Sequence, residues 1–208
     1  MVEVIPTILT ADIREAQEKL TRLEELVKRV QIDIIDGVFA QKRTIDPSAM
    51  EGIETAVDLD FHLMTKEPSD WVERSVRGGA GRIIGQIEMM SNQMEFLGKA
   101  QELGVSVGLG IDLATPVSAL DEAVLASLDV VLVMSVKAGF GGQEFDEKAI
   151  SKIKQLNEAR GSGTFKICVD GGVTPGLVKK ITEAGADEIA VGKRLFDGDP
   201  AVNLQKYG

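Results

Sequence analysis

Eight short runs rich in β-branched residues, each followed by a longer stretch with helical spacing of apolar residues, predict an α/β fold: a (β/α)8 TIM barrel built as a single domain over residues 1–208. Eight units in 208 residues leave about 26 residues per unit, near the lower limit for such a barrel. The same alternation suits a doubly wound open sheet, which expects a glycine-rich phosphate loop after its first strand. Here that strand runs into Thr7-Ile8-Leu9-Thr10-Ala11-Asp12 instead, which favours the barrel.

The strands are expected at 3–6, 31–35, 59–64, 82–86, 106–111, 130–135, 165–170 and 188–191. The first helix should begin at an Asp12 N-cap and run through Leu20, Leu23 and Leu26-Val27, which share one face at i, i+3, i+4 spacing. Further helices are expected at 69–76, 93–103, 117–125, 147–159 and 175–184, with a shorter one at 49–57. Gly78-Gly79, Gly104 and Gly185 stand where helices give way to strands, the position that favours a left-handed residue. No linker or low-complexity run divides the chain.

Composition narrows the function. Lys and Arg number 23 against 33 Asp and Glu, a net charge of −10, which opposes attachment to nucleic acid or to an anionic membrane surface. It leaves room for a small anion held locally by backbone N–H groups. No apolar run reaches the roughly 20 residues that span a bilayer, and the first residues lack the pattern of a secretory signal. The single cysteine, Cys168, excludes an internal disulfide and a cysteine-cluster zinc site, and a reducing cytoplasm is the expected setting. The single histidine, His62, excludes any centre built on two imidazoles.

In a barrel, polar residues near the carboxyl ends of strands face the mouth. In the second strand Gln31, Asp33 and Ile35 share one face, and Ile32 and Ile34 the other. A carboxylate between isoleucines is costly unless it is paired or solvated in a cavity, so Asp33 reads as a mouth residue, with a cap or surface ion pair as the alternative. Asp60, His62 and Met64 share a face of the third strand, where His62 suits a site and a satisfied core position equally. Asp170 ends the seventh strand before Gly171-Gly172, as a mouth carboxylate or as a turn residue. Carboxylates from strands two and seven, facing each other across a substrate, suit a two-base proton transfer, and they suit metal chelation equally well. Glycines gather after strands six to eight, in Gly139-Phe140-Gly141-Gly142-Gln143, Gly171-Gly172 and Gly192-Lys193, where barrels bind phosphate. The Phe140 loop can serve as a lid, and Lys193 as a cation for phosphate or as a solvated lysine.

These residues resemble the ribulose-phosphate 3-epimerase family over essentially the whole chain. The likeness rests on 6–12, on Ile32-Asp33-Ile34-Ile35-Asp36-Gly37-Val38-Phe39, on Phe61-His62-Leu63-Met64, on 108–116, on 133–136 with the Gly139–Gln143 loop, and on Val169-Asp170-Gly171-Gly172-Val173. The resemblance implies interconversion of ribulose 5-phosphate and xylulose 5-phosphate through an enediolate. It implies two His and two Asp around a divalent metal, the two Asp also being the acid/base pair. Position by position it makes Asp33 and Asp170 catalytic residues and metal ligands and His62 a metal ligand. Thr7 matches a first-strand serine near the substrate, Met64 and Met134 methionines packed on the enediolate, and Ile35 replaces a third. Phosphate would meet the chain around Gly141-Gly142, Gly171-Gly172 and Gly192-Lys193.

Four departures bear on this expectation. Gln31 stands where the family has a metal-binding histidine, Gln86 replaces a further histidine, Lys193 a serine, and Asp112-Leu113 an Asn-Pro pair. A carboxamide is a weak oxygen donor where imidazole was a good nitrogen ligand. The expected cofactor is therefore a divalent metal (Mn, Mg, Zn or Fe) with Gln31 as a weak ligand, or none. The partners expected are a small-molecule sugar phosphate and, by resemblance, further copies of the chain in a homo-oligomer. Alternatives are an epimerase of another sugar phosphate, such as allulose 6-phosphate, and a phosphate-binding barrel without catalysis. A hexulose-phosphate synthase-like lyase would need an Asp-x-Lys-x-x-Asp strand, and the 31–36 stretch has no lysine.

Overall fold

The computed structural model describes residues 2–208. Eight parallel strands close into a barrel in sequence order: β1 (Glu3–Ile8), β2 (Arg29–Ile35), β3 (Asp58–Met64), β4 (Ala80–Gln86), β5 (Ser106–Ile111), β6 (Val130–Met134), β7 (Lys166–Asp170) and β8 (Glu188–Val191). Closure comes from β1 pairing with β8, with Glu3 beside Glu188 and Pro6 beside Val191. Alternation along each strand then divides the apolar residues into two bodies. On β2, Val30, Ile32 and Ile34 join the outer core, between the strands and the surrounding segments. Ile35 joins Met64, Ile84, Val130, Leu132, Met134, Cys168 and Ala190 in the lumen.

The connecting segments hold eight helices among the described residues: α1 (Ile13–Thr21), α2 (Val72–Arg77), α3 (Gln93–Glu102), α4 (Glu122–Leu125), α5 (Lys148–Arg160), α6 (Val178–Glu183), α7 (Lys193–Phe196) and α8 (Pro200–Leu204). Asp12 caps α1, its side chain accepting from the Arg14 backbone N–H at 2.9 Å, and Asn92 caps α3 in the same way through Glu95. No helix is long and apolar enough to cross a membrane among the described residues.

Several connections are shorter than the apolar spacing predicts. α1 stops at Thr21, and Leu23 is buried from a following turn rather than from the helix face. The helix expected over 49–57 is a 3-10 turn at Pro47–Met50, because Glu51 leaves helical geometry at ψ 123°. Segments 69–76, 117–125 and 175–184 each open on a 3-10 turn next to a proline, and only their second halves are α-helical. Helices α7 and α8 had no predicted counterpart; α8 starts at an Asp199 cap followed by Pro200.

An ionic cluster seals the amino-terminal end of the lumen. Arg82 (β4) donates to Asp60 (β3) from Nε at 2.9 Å, and to Glu188 (β8) from Nη1 at 3.1 Å and Nη2 at 2.8 Å. Arg29 Nη1 reaches Asp60 Oδ1 at 2.5 Å, and Lys166 Nζ reaches Glu188 Oε1 at 2.7 Å. Burial disfavours an ionised Glu188, but Arg82 and then Lys166 outweigh it and hold its carboxyl below the usual carboxylate range.

Arg82→Met leaves two buried carboxylates with only their outer partners, and urea unfolding at pH 7 should record a loss of about 3 kcal/mol; an unchanged midpoint would remove the cluster from the stability of the barrel. Because Glu188 is held in its ionised form, the stabilisation is present above its ordinary pKa of 4.5 and is lost as the pH falls through the lower folded value. The stability gap between the wild type and Glu188→Gln should therefore narrow below pH 4.5; a gap that is flat or widens on acidification would contradict this.

Candidate active site

The register carries polar side chains to one level of the mouth. Gln31 lies beside Thr7 of β1, Asp33 beside His62 of β3, and Asp170 beside Met134 of β6 and Ala190 of β8. In the closed ring β2 and β7 are separated only by β1 and β8, so Asp33 and Asp170 can converge near the axis. Each strand end is pinned from behind. Thr44 Oγ1 donates to the Asp33 carbonyl at 2.7 Å and accepts from the Ile35 N–H at 2.8 Å. Ser135 Oγ donates to the Asp170 carbonyl at 2.9 Å.

The side chains form one hydrogen-bonded group. Gln31 Nε2 donates to Asp33 Oδ1 at 2.9 Å and to Asp170 Oδ2 at 2.7 Å. His62 Nδ1 lies 3.3 Å from Asp33 Oδ1 and 3.8 Å from Asp170 Oδ2, and its Nε2 lies 3.1 Å from Gln86 Oε1. Gln31, His62 and Gln86 are fully buried, and Asp33 and Asp170 are almost so. Gln86 fits because residue 110 is glycine: a Cβ there would stand 2.0 Å from Gln86 Oε1.

Burial together with the nearby Asp33 charge raises the Asp170 carboxyl to about 7, against the pull of His62 and Gln31. Burial opposes a charged His62, but its hydrogen bond to Asp33, the Asp33 charge and the Asp170 charge outweigh that and raise its pKa. Asp170 and His62 are thus both shifted toward their protonated forms by the groups packed around them.

A divalent cation would find three donors here, since Asp33, His62 and Asp170 each offer an atom within 4.8 Å of the others. Gln86 Oε1 can accept the His62 Nε2 proton and so leave Nδ1 free toward the carboxylates, the outer-sphere support a ligating imidazole needs. Gln31 presents its N–H pair to the carboxylates, and its Oε1 is buried with no hydrogen-bond partner among the described residues. Gln31, expected as a weak fourth ligand, thus turns its nitrogen rather than its oxygen inward, and the two carboxylates and one imidazole that remain suit a hard cation such as Mg2+ or Mn2+ better than a nitrogen-rich zinc centre.

Above the group opens a cavity of about 510 Å3. Of the predicted residues, Thr7, Asp33, Met64, Met134, Asp170 and the Gly139–Gln143, Gly171-Gly172 and Gly192-Lys193 segments line it, whereas Gln31 and His62 lie beneath. Phe140 is half-exposed at its edge. Gln143 faces its own loop, donating to the Lys137 carbonyl at 2.8 Å and the Phe140 carbonyl at 2.7 Å. Gly172 sits at φ +60°, and a Cβ there would stand 2.4 Å from the Phe145 nitrogen, so a side chain would push two loops of the mouth apart. Asp112 accepts from the Leu113 and Ala138 N–H groups and stands among loop contacts rather than in the proton-holding group. Lys19 and Arg194 also line the cavity. Nothing in the sequence marked Lys19, whose i, i+4 pairing with Glu15 resembles any solvated helix face.

The family model for the ribulose-phosphate 3 epimerase family matches residues 3–196. A ribulose-phosphate 3-epimerase of Synechocystis sp. is 35% identical over 93% of this chain and 87% of its own length, and one of Bacillus subtilis is 32% identical over 94% and 93%. A ribulose-5-phosphate-3-epimerase of Arabidopsis thaliana, named as chloroplastic, is 34% identical over 93% of this chain and 71% of its own. Among solved structures, 3-keto-L-gulonate-6-phosphate decarboxylase of Vibrio cholerae superposes with a TM-score of 0.75 at 12% identity, over 99% of this chain and 95% of that one. A 3-hexulose-6-phosphate synthase superposes with 0.70 at 15% identity, over 99% and 97%, and at these identities both likenesses concern the fold alone. The sequence matches reach across the barrel from its first strand into α7, and on that extent the chain belongs to the ribulose-phosphate 3-epimerase family.

Proposed function

We propose that this chain interconverts ribulose 5-phosphate and xylulose 5-phosphate, with Asp33 and Asp170 exchanging protons with C3 on opposite faces of the sugar. The observation that carries the reading is the convergence of two carboxylates from distant strands on one cavity, one of them titrating near neutrality. A carboxyl with a pKa of about 7 is matched to giving and taking a proton at physiological pH. One aspartate, ionised, removes the C3 proton to form an enediolate; the other, protonated, returns a proton to the opposite face. In the reverse direction the two exchange roles.

His62, its pKa raised, stabilises negative charge that develops on the substrate oxygens, and Gln86 fixes the plane of its ring. Thr7 lines the wall beside the reacting carbon, and Met64 and Met134 keep water from the enediolate face. Backbone N–H groups of the Gly141-Gly142, Gly171-Gly172 and Gly192 loops hold the phosphate, with Lys193 as a flanking cation. A divalent cation held by Asp33, His62 and Asp170 would supply Lewis-acid polarisation of the sugar oxygens.

A coupled assay following xylulose 5-phosphate formed from ribulose 5-phosphate tests the assignment. Asp33→Asn and Asp170→Asn should each lower kcat by at least about 100-fold with the fold retained. Each should still wash solvent deuterium into C3 of the one epimer, ribulose or xylulose 5-phosphate, whose C3 proton faces the remaining aspartate, and not into the other. Normal turnover in Asp170→Asn would overturn the two-base reading. A wild type that binds the sugar phosphate without turning it over would favour a phosphate-binding barrel.

A further inference from the structure

The two aspartates are joined by a neutral group of the chain itself. One nitrogen, Gln31 Nε2, spends its two protons on Asp33 Oδ1 and Asp170 Oδ2 at 2.9 and 2.7 Å, both lengths typical of hydrogen bonds to charged acceptors. The opposite orientation of the amide would bring its carbonyl oxygen against two carboxylate oxygens, so the acid pair itself dictates which end faces inward. The cost of that choice is visible at the other end, where Gln31 Oε1 is buried and unpartnered among the described residues. Gln86 shows the same economy: its Oε1 is used on His62 and its Nε2 is left without a partner.

We infer that the Gln31 carboxamide is an internal bridge that competes with a divalent cation for the position between Asp33 and Asp170, so that the chain assembles its acid pair by hydrogen bonding and binds metal weakly. A cation that takes up both oxygens must first break both hydrogen bonds and turn or expel the amide. A glutamine acting simply as a weak fourth ligand would do the opposite and add to metal affinity. The two roles predict opposite signs when the side chain is removed.

The inference concerns the same acid pair as the proposed epimerisation, but its measurement uses no sugar phosphate, so the two readings can fail separately. Calorimetric titration of Mn2+ into the EDTA-treated, dialysed protein compares the wild type with Gln31→Leu and Gln31→Ala. If Gln31 competes, both variants bind Mn2+ at least about tenfold more tightly than the wild type. Weaker binding in the variants, or equal binding, would overturn the proposal. Gln31→His, which replaces the bridge by an imidazole ligand, should bind Co2+ with visible absorption bands that the wild type lacks at the same concentration. The 1H–15N spectrum of the metal-stripped wild type supplies a readout free of any variant. The Gln31 side-chain amide should exchange far more slowly than exposed glutamine amides, and its resonances should move when the diamagnetic Mg2+ is added. Fast exchange would sink the bridge whatever the titrations give.

Discussion

The pairing of β1 with β8 is the contact on which the rest of this molecule depends. An open sheet of the same eight strands would expose both edges and spread Asp33 and Asp170 along its length. Closure turns every second residue toward a common axis, and strands two and seven, three steps apart in the ring of eight, come to face each other across it. The outward faces then have only one place to bury Val, Ile and Leu, against the helices and turns outside. Fold stability and site assembly are consequences of one topological fact.

The lumen manages buried charge in two different ways. At its amino-terminal end every carboxylate meets a cation: Asp60 and Glu188 share Arg82, with Arg29 and Lys166 behind them. Glu188 is held ionised, and that end is a structural seal. At the mouth two carboxylates share one imidazole and the neutral Gln31 amide, so charge is incompletely compensated and Asp170 holds its proton to about 7. Incomplete compensation makes that end chemically useful, because a fully paired carboxylate would have no proton to trade at neutral pH.

The mouth is also built to hold its geometry. Thr44 and Ser135 fix the backbone behind the two aspartates, Gly110 leaves the space that Gln86 fills, and Gly172 lets two loops approach. These supports are small residues and hydroxyls without functional signatures of their own, and they act through position alone. Gln143 works with them: it lines the cavity as expected, and its amide staples the glycine-rich loop together.

Much of this is legible in the amino-acid sequence alone. Period-two alternation around Ile32 and Ile34 put Gln31 and Asp33 on one face, and the order of β-branched runs placed all eight strands within two residues of their starts and of their ends. Helix extents were less legible, since apolar spacing at Leu23 or over 49–57 serves a buried turn as well as a helix, and α7 and α8 are too short to show a period. Residue types alone determined that one imidazole, two strand-end carboxylates and a cluster of glycines were available for chemistry. Only the tertiary structure decided that Gln31 points its N–H pair at both aspartates, that Gln86 orients His62, and that Lys19 reaches the cavity. The reason is physical: spacing along a strand fixes the face a side chain takes, but its partners come from strands up to 139 residues away, brought together by closure.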